Sequence, residues 1–278
     1  MSISVVTDST AYLPPVEGIS VVPLTVVVNG VEGVEGIDVT PAEVARAMTA
    51  RRVSVTTSRP APAKFEAHYR SLLAAGASGV VSVHLSAALS GTVEAATLAA
   101  GSFPGAVEVV DARSTGMGLG FPALAAASAA AAGSSLLEVR DAALAAVART
   151  STFFYVDTLE FLRRGGRINA ASALLGTALS VKPILHVVDG EVKMRDRVRT
   201  AGRALARLVD LALEAAGESD VDVGVHHLGA PERAEDLVAE LSSRLGGRLR
   251  EVYVSEIGAV VAAHVGPGLA CVVVHRHP

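Results

Sequence analysis

The chain has one cysteine in 278 residues, no tryptophan, and aromatic residues at only 4%. A single thiol excludes an intramolecular disulfide framework. So few rings leave little material for the stacking platforms that single-stranded nucleic acids need. The formal net charge of -4 offers no net basic face to track phosphates, so nucleic acid is not an expected partner. Long apolar runs are also missing. The most hydrophobic stretch, Leu119 to Ala132, is Ala-rich, contains Pro122 and falls short of the roughly 20 residues that cross a bilayer, so it is expected to be a buried helix and no integral membrane segment is assigned. Met1 leads straight into Ile3-Ser4-Val5-Val6 with no basic n-region or cleavage site. Cys271 lies in the apolar run Leu269 to Val274 and reads as a buried strand residue. Both fit a cytoplasmic protein. There is no Walker-type Gly-rich Lys motif, and Asp8 has no acidic or imidazole partner at useful local spacing, so no metal and no cofactor are assigned.

What is abundant is small apolar side chain: half of the residues are hydrophobic, enough at this length for two cores built mainly of Ala, Val and Leu. Short β-branched runs alternate with helical stretches through the first half. Ile3–Val6, Gly79–Leu85 and Val107–Val110 read as strands of a parallel sheet flanked by helices. Thr40-Pro41-Ala42-Glu43 carries a capping box with proline at the first helical position, opening a helix to about Arg51. A second helix spans Pro62 to Ala74, and Ser134-Ser135 caps a third that runs to about Arg149. Asn29-Gly30 marks a hairpin turn after the extended run Ile19 to Val28. The second half reads as helix from Leu159, a turn at Gly165-Gly166, helix to about Leu179, and strand Ile184–Val188. Asp189-Gly190 then turns a hairpin into Glu191–Met194. Helices at 201–216, 232–245 and 258–265 alternate with strands at 221–226, 251–255 and 269–275. The expected fold class is α/β in two domains: residues 1–155 as a parallel sheet flanked by helices, and residues 156–278 as an α+β domain with a mixed sheet.

The polar residues that draw attention are hydroxyl clusters following apolar runs: Thr7-Asp8-Ser9-Thr10, Thr56-Thr57-Ser58-Arg59-Pro60, and Ser86 through Ser90-Gly91-Thr92. Each is readable as an ordinary cap or turn. Three together suggest anion binding, because hydroxyls and unpaired first-turn N–H groups hold anions, and loops at one edge of a parallel sheet converge on a ligand. His264, beside Gly266-Pro267-Gly268, reads either as a partner for helix-end carbonyls or as a donor to a bound carboxylate. The basic clusters Arg163-Arg164-Gly165-Gly166-Arg167 and Arg195 to Arg199 read either as solvated faces or as a docking surface for an acidic group. A reading from another class is a hydrolase with Ser90 as nucleophile, His264 as base and Asp8 as orienting acid, although the Gly-x-Ser-x-Gly elbow is absent. A phosphate or nucleotide sensor is a third.

These motifs in this order resemble the DegV family of bacterial fatty-acid-binding proteins. The resemblance runs from Val5-Val6-Thr7-Asp8-Ser9-Thr10 through Thr57-Ser58-Arg59-Pro60, Leu89-Ser90-Gly91-Thr92 and Thr158-Leu159-Glu160-Phe161-Leu162-Arg163-Arg164-Gly165-Gly166-Arg167-Ile168. It continues through Lys182-Pro183-Ile184-Leu185, Val198-Arg199-Thr200 and His264-Val265-Gly266-Pro267-Gly268. It implies two α/β domains with one long-chain fatty acid between them, its carboxylate held by Thr57, Ser58, Ser90, Gly91 and Thr92, with His264 and Arg167 nearby. It also implies that this chain is a carrier and not an enzyme, presenting the carboxylate to a separate ATP-binding fatty acid kinase subunit that makes an acyl phosphate for phospholipid synthesis. Arg197, Arg199 and Arg203 are the expected docking residues for that kinase. Two positions depart from the family pattern: Arg59 stands where Gln is common, and Asp111-Ala112 where Asp-Ser is common.

Overall fold

Val-rich runs separated by Ala-rich helices build a parallel sheet in the first of two units into which the chain divides. The computed structural model describes residues 2–50, 53–168 and 181–278. Unit one comprises Met1–Thr25 and Ser58–Ala148; unit two comprises Val26–Thr57 and Arg149–Pro278. In chain order, β1 (Ile3–Asp8) and β2 (Ile19–Val22) belong to the first unit. Then β3 (Thr25–Val28), β4 (Val31–Val34), α1 (Pro41–Thr49) and β5 (Val55–Ser58) make the inserted part of the second. The first unit resumes with α2 (Pro62–Ala74), β6 (Gly79–His84), α3 (Thr92–Ala100), β7 (Val107–Asp111), α4 (Met117–Ala131) and α5 (Leu136–Ala148). The second continues with β8 (Thr150–Tyr155), α6 (Glu160–Arg164), β9 (Lys182–Val188), β10 (Glu191–Val198) and α7 (Ala201–Ala216). It ends with β11 (Val221–His227), α8 (Pro231–Leu245), β12 (Leu249–Glu256), α9 (Ala259–Val265) and β13 (Ala270–Arg276).

This division differs from the expected single boundary between residues 155 and 156. Residues 26–57 pair into their own sheet, ordered β4-β3-β5, and β8 joins the mixed sheet of the second unit. The later crossing therefore falls at Ala148, and the N-terminal half is shared between the units.

The first unit's sheet has the order β2-β1-β6-β7, and every pair in it is parallel. All six residues of β6 are buried, as a strand covered by helices on both faces requires. Phe65 and Tyr69, four apart on α2, share one helix face and pack with Val6, Val80, Ala95 and Ala99. Because β1 and β6 are parallel neighbours, the loops that follow them leave from the same edge of the sheet. The helix α4 is buried from Met117 to Ala123 and again at Ala126, so the expected burial of Leu119 to Ala132 holds for its first half only. Its C-terminal alanines are partly exposed, where a methyl group loses little by meeting water.

The second unit's larger sheet has the order β10-β9-β8-β13-β11-β12, antiparallel except for β11 with β12. Leu208 and Leu211 of α7 and Leu237 and Leu241 of α8 cover Val221, Val223, Val225 and Val272. Both anticipated hairpin turns form. Asn29 and Gly30 have φ of 50° and 84°, Asp189 and Gly190 53° and 82°, the paired left-handed conformations that a two-residue turn needs and that Asn-Gly and Asp-Gly tolerate. Thr40 and Glu43 cap each other reciprocally at α1, and Ser135 does the same with Glu138 at α5. The helix expected after Gly166 to about Leu179 lies mainly on residues outside those described. Among the described residues no helix is long and apolar enough to cross a membrane. Cys271 is buried in β13, and burial pushes its thiol up to about 12.

Two further β-strand side chains give the fold a pH dependence. His226 bonds Ser255 through Nδ1 at 2.9 Å, and His275 bonds Thr150 through Nδ1 at 2.9 Å. Burial, the largest cause in each case, pushes both imidazoles down from 6.5 to about 4. Between those values the unfolded chain binds protons that the folded chain refuses, so stability is fully present above pH 6.5 and falls as pH drops towards 4. The loss is at most on the order of 3 kcal/mol per histidine. Urea unfolding of the wild type against His226→Asn/His275→Asn should show the wild type losing more stability than the double variant between these pH values. Parallel slopes would contradict this account.

Candidate functional site

The sequence-predicted site residues fall into one cluster in each unit. In the second unit, β5 carries Thr57, the turn after α6 carries Gly165 and Arg167, and the last turn of α9 carries His264. These residues line one cavity of about 210 Å³, whose remaining wall includes Met48, Val53, Val55 and Phe161. Thr57 Oγ1 lies 2.9 Å from His264 Nε2 across 207 positions of sequence. Arg167 is half-buried and donates to the Gly165 carbonyl. Burial lowers its guanidinium below the ordinary value.

His264 is neutral at pH 7: burial, and secondarily the positive charge of Arg167, push it down to about 4. Its Nδ1 is buried with no hydrogen-bond partner among the described residues. That atom packs against Gly165, where a Cβ would collide with it. A buried lone pair left bare is tolerated more readily than an orphaned N–H, so the proton belongs on Nε2, which then donates to Thr57 Oγ1. A hydroxyl that already accepts from an imidazole has its own proton available for another acceptor. Thr57 is thereby set as a donor at a cavity whose other walls mix apolar side chains such as Met48, Val55 and Phe161 with the polar groups of Thr56, Arg164 and Arg167, an arrangement suited to an anionic head on an apolar body.

In the first unit, β6 feeds through a turn at Ser86 into Ser90-Gly91-Thr92 at the start of α3. Gly91 is the N-cap and has no side chain to satisfy the first-turn N–H groups. Ser90 Oγ and Thr92 Oγ1 are 2.9 Å apart. Arg59 lies directly over Gly91, donates to its carbonyl at 3.3 Å and pairs with Glu94. A Cβ on Gly91 would meet the Arg59 side chain, so the guanidinium can rest here only because the position has no side chain of its own, and it would swing aside if one were added. Ser58 is exposed and bonds locally to the Arg59 carbonyl. At the second family departure, Ala112 is buried and its N–H bonds the His84 carbonyl at 2.9 Å.

Three expectations need correction. The hydroxyl clusters do not all follow neighbouring parallel strands: those after β1 and β6 do, whereas Thr56, Thr57 and Ser58 lie within β5, in the separate β4-β3-β5 sheet. The triad Ser90, His264 and Asp8 does not assemble as imagined. Asp8 is fully buried and accepts from Thr10, His84 and Leu85, while the bonded nitrogen of His264 faces Thr57. The strand expected at Glu191–Met194 does not stop there: β10 extends to Val198 past a bulge between Met194 and Asp196, so Arg195 and Arg197 lie in an edge strand and Arg199 in the bend that follows it. Arg197 and Arg199 are exposed, as is Arg203 in the first turn of α7. Among the described residues no group of three His, Cys, Asp or Glu side chains could hold a metal ion. Met48, Val53 and Val55 were not anticipated as lining. The period-two pattern Val53-Ser54-Val55 marked an extended segment but gave no hint of what it would face.

A parallel four-strand sheet, a mixed six-strand sheet and hydroxyl-bearing loops define an α/β protein with a candidate site for a small anionic group. The family model described as an uncharacterised protein of the DegV family matches residues 2–277. A DegV domain-containing protein of Streptomyces coelicolor is 50% identical over 276 residues, 98% of each chain. The fatty-acid-binding DegV family protein from Thermus thermophilus superposes with a TM-score of 0.94 at 35% identity, covering 100% of both chains. DegV from Bacillus subtilis, a fatty acid binding protein, superposes with a TM-score of 0.88 at 31% identity, again over 100% of both chains. The chain belongs to the DegV family.

The His264 assignment is testable in the protein alone. Its imidazole should remain neutral, with the proton on Nε2, until the pH falls near 4, as followed by ¹⁵N NMR. Gly165→Ala should displace the ring and abolish the Nε2 contact to Thr57. Titration near 6.5 in the wild type, or an Nδ1-protonated ring, would contradict the assignment.

Proposed function

We propose that this chain is a cytoplasmic carrier that binds one long-chain fatty acid between its domains and presents the carboxylate to a separate kinase. The carboxylate is held by Thr57, Ser58, Ser90, Gly91 and Thr92, with His264 and Arg167 in support. The kinase transfers a phosphoryl group from ATP to that carboxylate, so this chain carries the substrate and performs no phosphotransfer. The observation that carries the reading is the Thr57 cavity, where a hydroxyl oriented by neutral His264 and a half-buried guanidinium stand beside apolar side chains. Fatty-acid binding by the similar Thermus thermophilus and Bacillus subtilis proteins supports it.

Physical magnitudes favour such a ligand. Burying a tail of about 14 to 18 carbons gains roughly 0.8 kcal/mol per methylene, a gross gain on the order of 10 kcal/mol. Ordering the chain and the protein reduces that sum. A buried carboxylate without donors would cost several kcal/mol, which gives the hydroxyl and guanidinium groups their purpose. The hydrolase reading loses its orienting acid, because Asp8 is engaged elsewhere.

For the kinase, Arg197 lies in edge strand β10 and Arg199 in the bend just past its end, and both side chains are exposed. Neither they nor Arg203 are ion-paired among the described residues, unlike Arg207, which holds Asp196 and Glu214. Three exposed cations of this kind suit an acidic docking surface.

Titration of delipidated protein with a long-chain fatty acid should saturate at equimolar ligand, and Thr57→Val should weaken binding by about tenfold or more, the cost of a hydrogen bond to a charged group. Absence of saturable uptake, or unchanged affinity in the variant, would overturn the reading. Reversing charge at Arg197 and Arg199 should lower acyl-phosphate production by an added kinase while leaving fatty-acid affinity unchanged; unaltered production would remove these residues from docking.

A further inference from the structure

A continuous polar chain crosses the core of the first unit. Tyr69 on α2 donates to Ser82 Oγ at 2.8 Å. Ser82 Oγ lies 2.6 Å from His84 Nε2, and His84 Nδ1 lies 3.0 Å from Asp8 Oδ2. All four side chains are buried, and Phe65 packs edge-on against the His84 ring at 5.0 Å. Asp8 Oδ2 also accepts the Leu85 N–H at 3.0 Å, while its Oδ1 accepts the N–H and hydroxyl of Thr10 at 3.1 and 2.6 Å.

Counting protons fixes the polarity of the chain. Tyr69 is protonated, since burial pushes its phenol up to about 12, and its geometry makes it a donor to Ser82. The single proton of Ser82 then has one acceptor in reach among the described residues, His84 Nε2. That nitrogen must carry a lone pair, which puts the ring proton on Nδ1, directed at Asp8. A doubly protonated ring would leave the Ser82 or Tyr69 proton without an acceptor inside the core, a costly outcome. The order of atoms is that of a Ser-His-Asp triad. Yet Ser82 is fully buried beneath Tyr69 and cannot meet a substrate.

What lies at the charged end is different. Asp8 holds the Leu85 amide at the point where β6 ends and the Ser86 turn begins. Within that turn Ser90 N–H bonds the Ser86 carbonyl at 3.0 Å, and Ala88 N–H bonds the Ser86 hydroxyl at 3.1 Å. On its other side Asp8 holds Thr10, whose carbonyl accepts the Gly116 N–H at 2.8 Å. We infer that Tyr69, Ser82, His84 and Asp8 form a positioning relay for the Ser90-Gly91-Thr92 loop: each fixes the next by one directed hydrogen bond, and Asp8 fixes the loop. None of the four touches the ligand. The functional consequence rests on the proposed role of that loop in holding a carboxylate.

The wild-type protein provides the first test. At neutral pH the ¹⁵N spectrum of His84 should show the neutral ring with its proton on Nδ1; an Nε2-protonated ring or an imidazolium overturns the polarity. Asp8→Asn and His84→Leu should weaken binding of cis-parinaric acid, a fluorescent fatty acid, by about tenfold or more, as loss of hydrogen bonds to a buried charge implies. They should also speed amide exchange at Leu85 to Ser90. His84→Gln, whose amide offers one donor and one acceptor side, should recover part of the affinity lost in His84→Leu. Should Asp8→Asn not fold, Ser82→Ala, which interrupts the relay away from the loop, should still speed exchange at the same amides. Folded variants with wild-type affinity and wild-type exchange overturn the inference. If the wild type takes up no parinaric acid, the fatty-acid reading fails, while the exchange measurements still decide the relay.

Discussion

Asp8 carries a carboxylate into the core of the first unit, and a buried charge is tolerated only where donors surround it. Four arrive: two from Thr10, one from Leu85 and one from His84. Their geometry determines where the loops after β1 and β6 begin, because each donor sits at the end of a strand and the start of a turn. The parallel pairing of β1 with β6 brings the two strand ends side by side. Burial of one charge thus converts sheet topology into the placement of Ser90, Gly91 and Thr92.

The second unit meets an analogous requirement with a neutral histidine. His264 is kept uncharged by burial and by Arg167, and Gly165 leaves room for its unbonded nitrogen. The result is a threonine whose proton is available and a guanidinium held nearby, with apolar side chains forming part of the remaining wall. In both units an imidazole orients a neighbour through a directed hydrogen bond. The hydroxyl and guanidinium groups that line the cavity are donors, which gives the protein the chemistry for holding a carboxylate.

Much of the fold was legible because its signals are local. Pro62 opened α2 and the full span Pro62–Ala74 formed; Asn29-Gly30 and Asp189-Gly190 made their turns; Thr40 and Glu43 capped α1. The division into units was less legible, since it depends on residues 26–57 pairing among themselves and on β8 joining distant β13 and β9. The candidate site was legible by residue type and not by arrangement. Thr57 and His264 were both singled out, but their contact spans 207 positions. Asp8 showed no imidazole partner at local spacing, because its partner His84 lies 76 positions away at the end of β6, where two polar residues in a Val-rich run gave no sign of what they would face. Arg59 stood out as an unusual residue, but only the structure shows it pressed over Gly91 and paired with Glu94.

The central claim is that these donors exist to hold a fatty-acid carboxylate while the tail leaves water. Mass spectrometry of the organic extract from natively purified, denatured protein tests it most directly. The account predicts a stoichiometric free fatty acid of long chain length. A folded protein that yields no lipid and takes up no added fatty acid would contradict it.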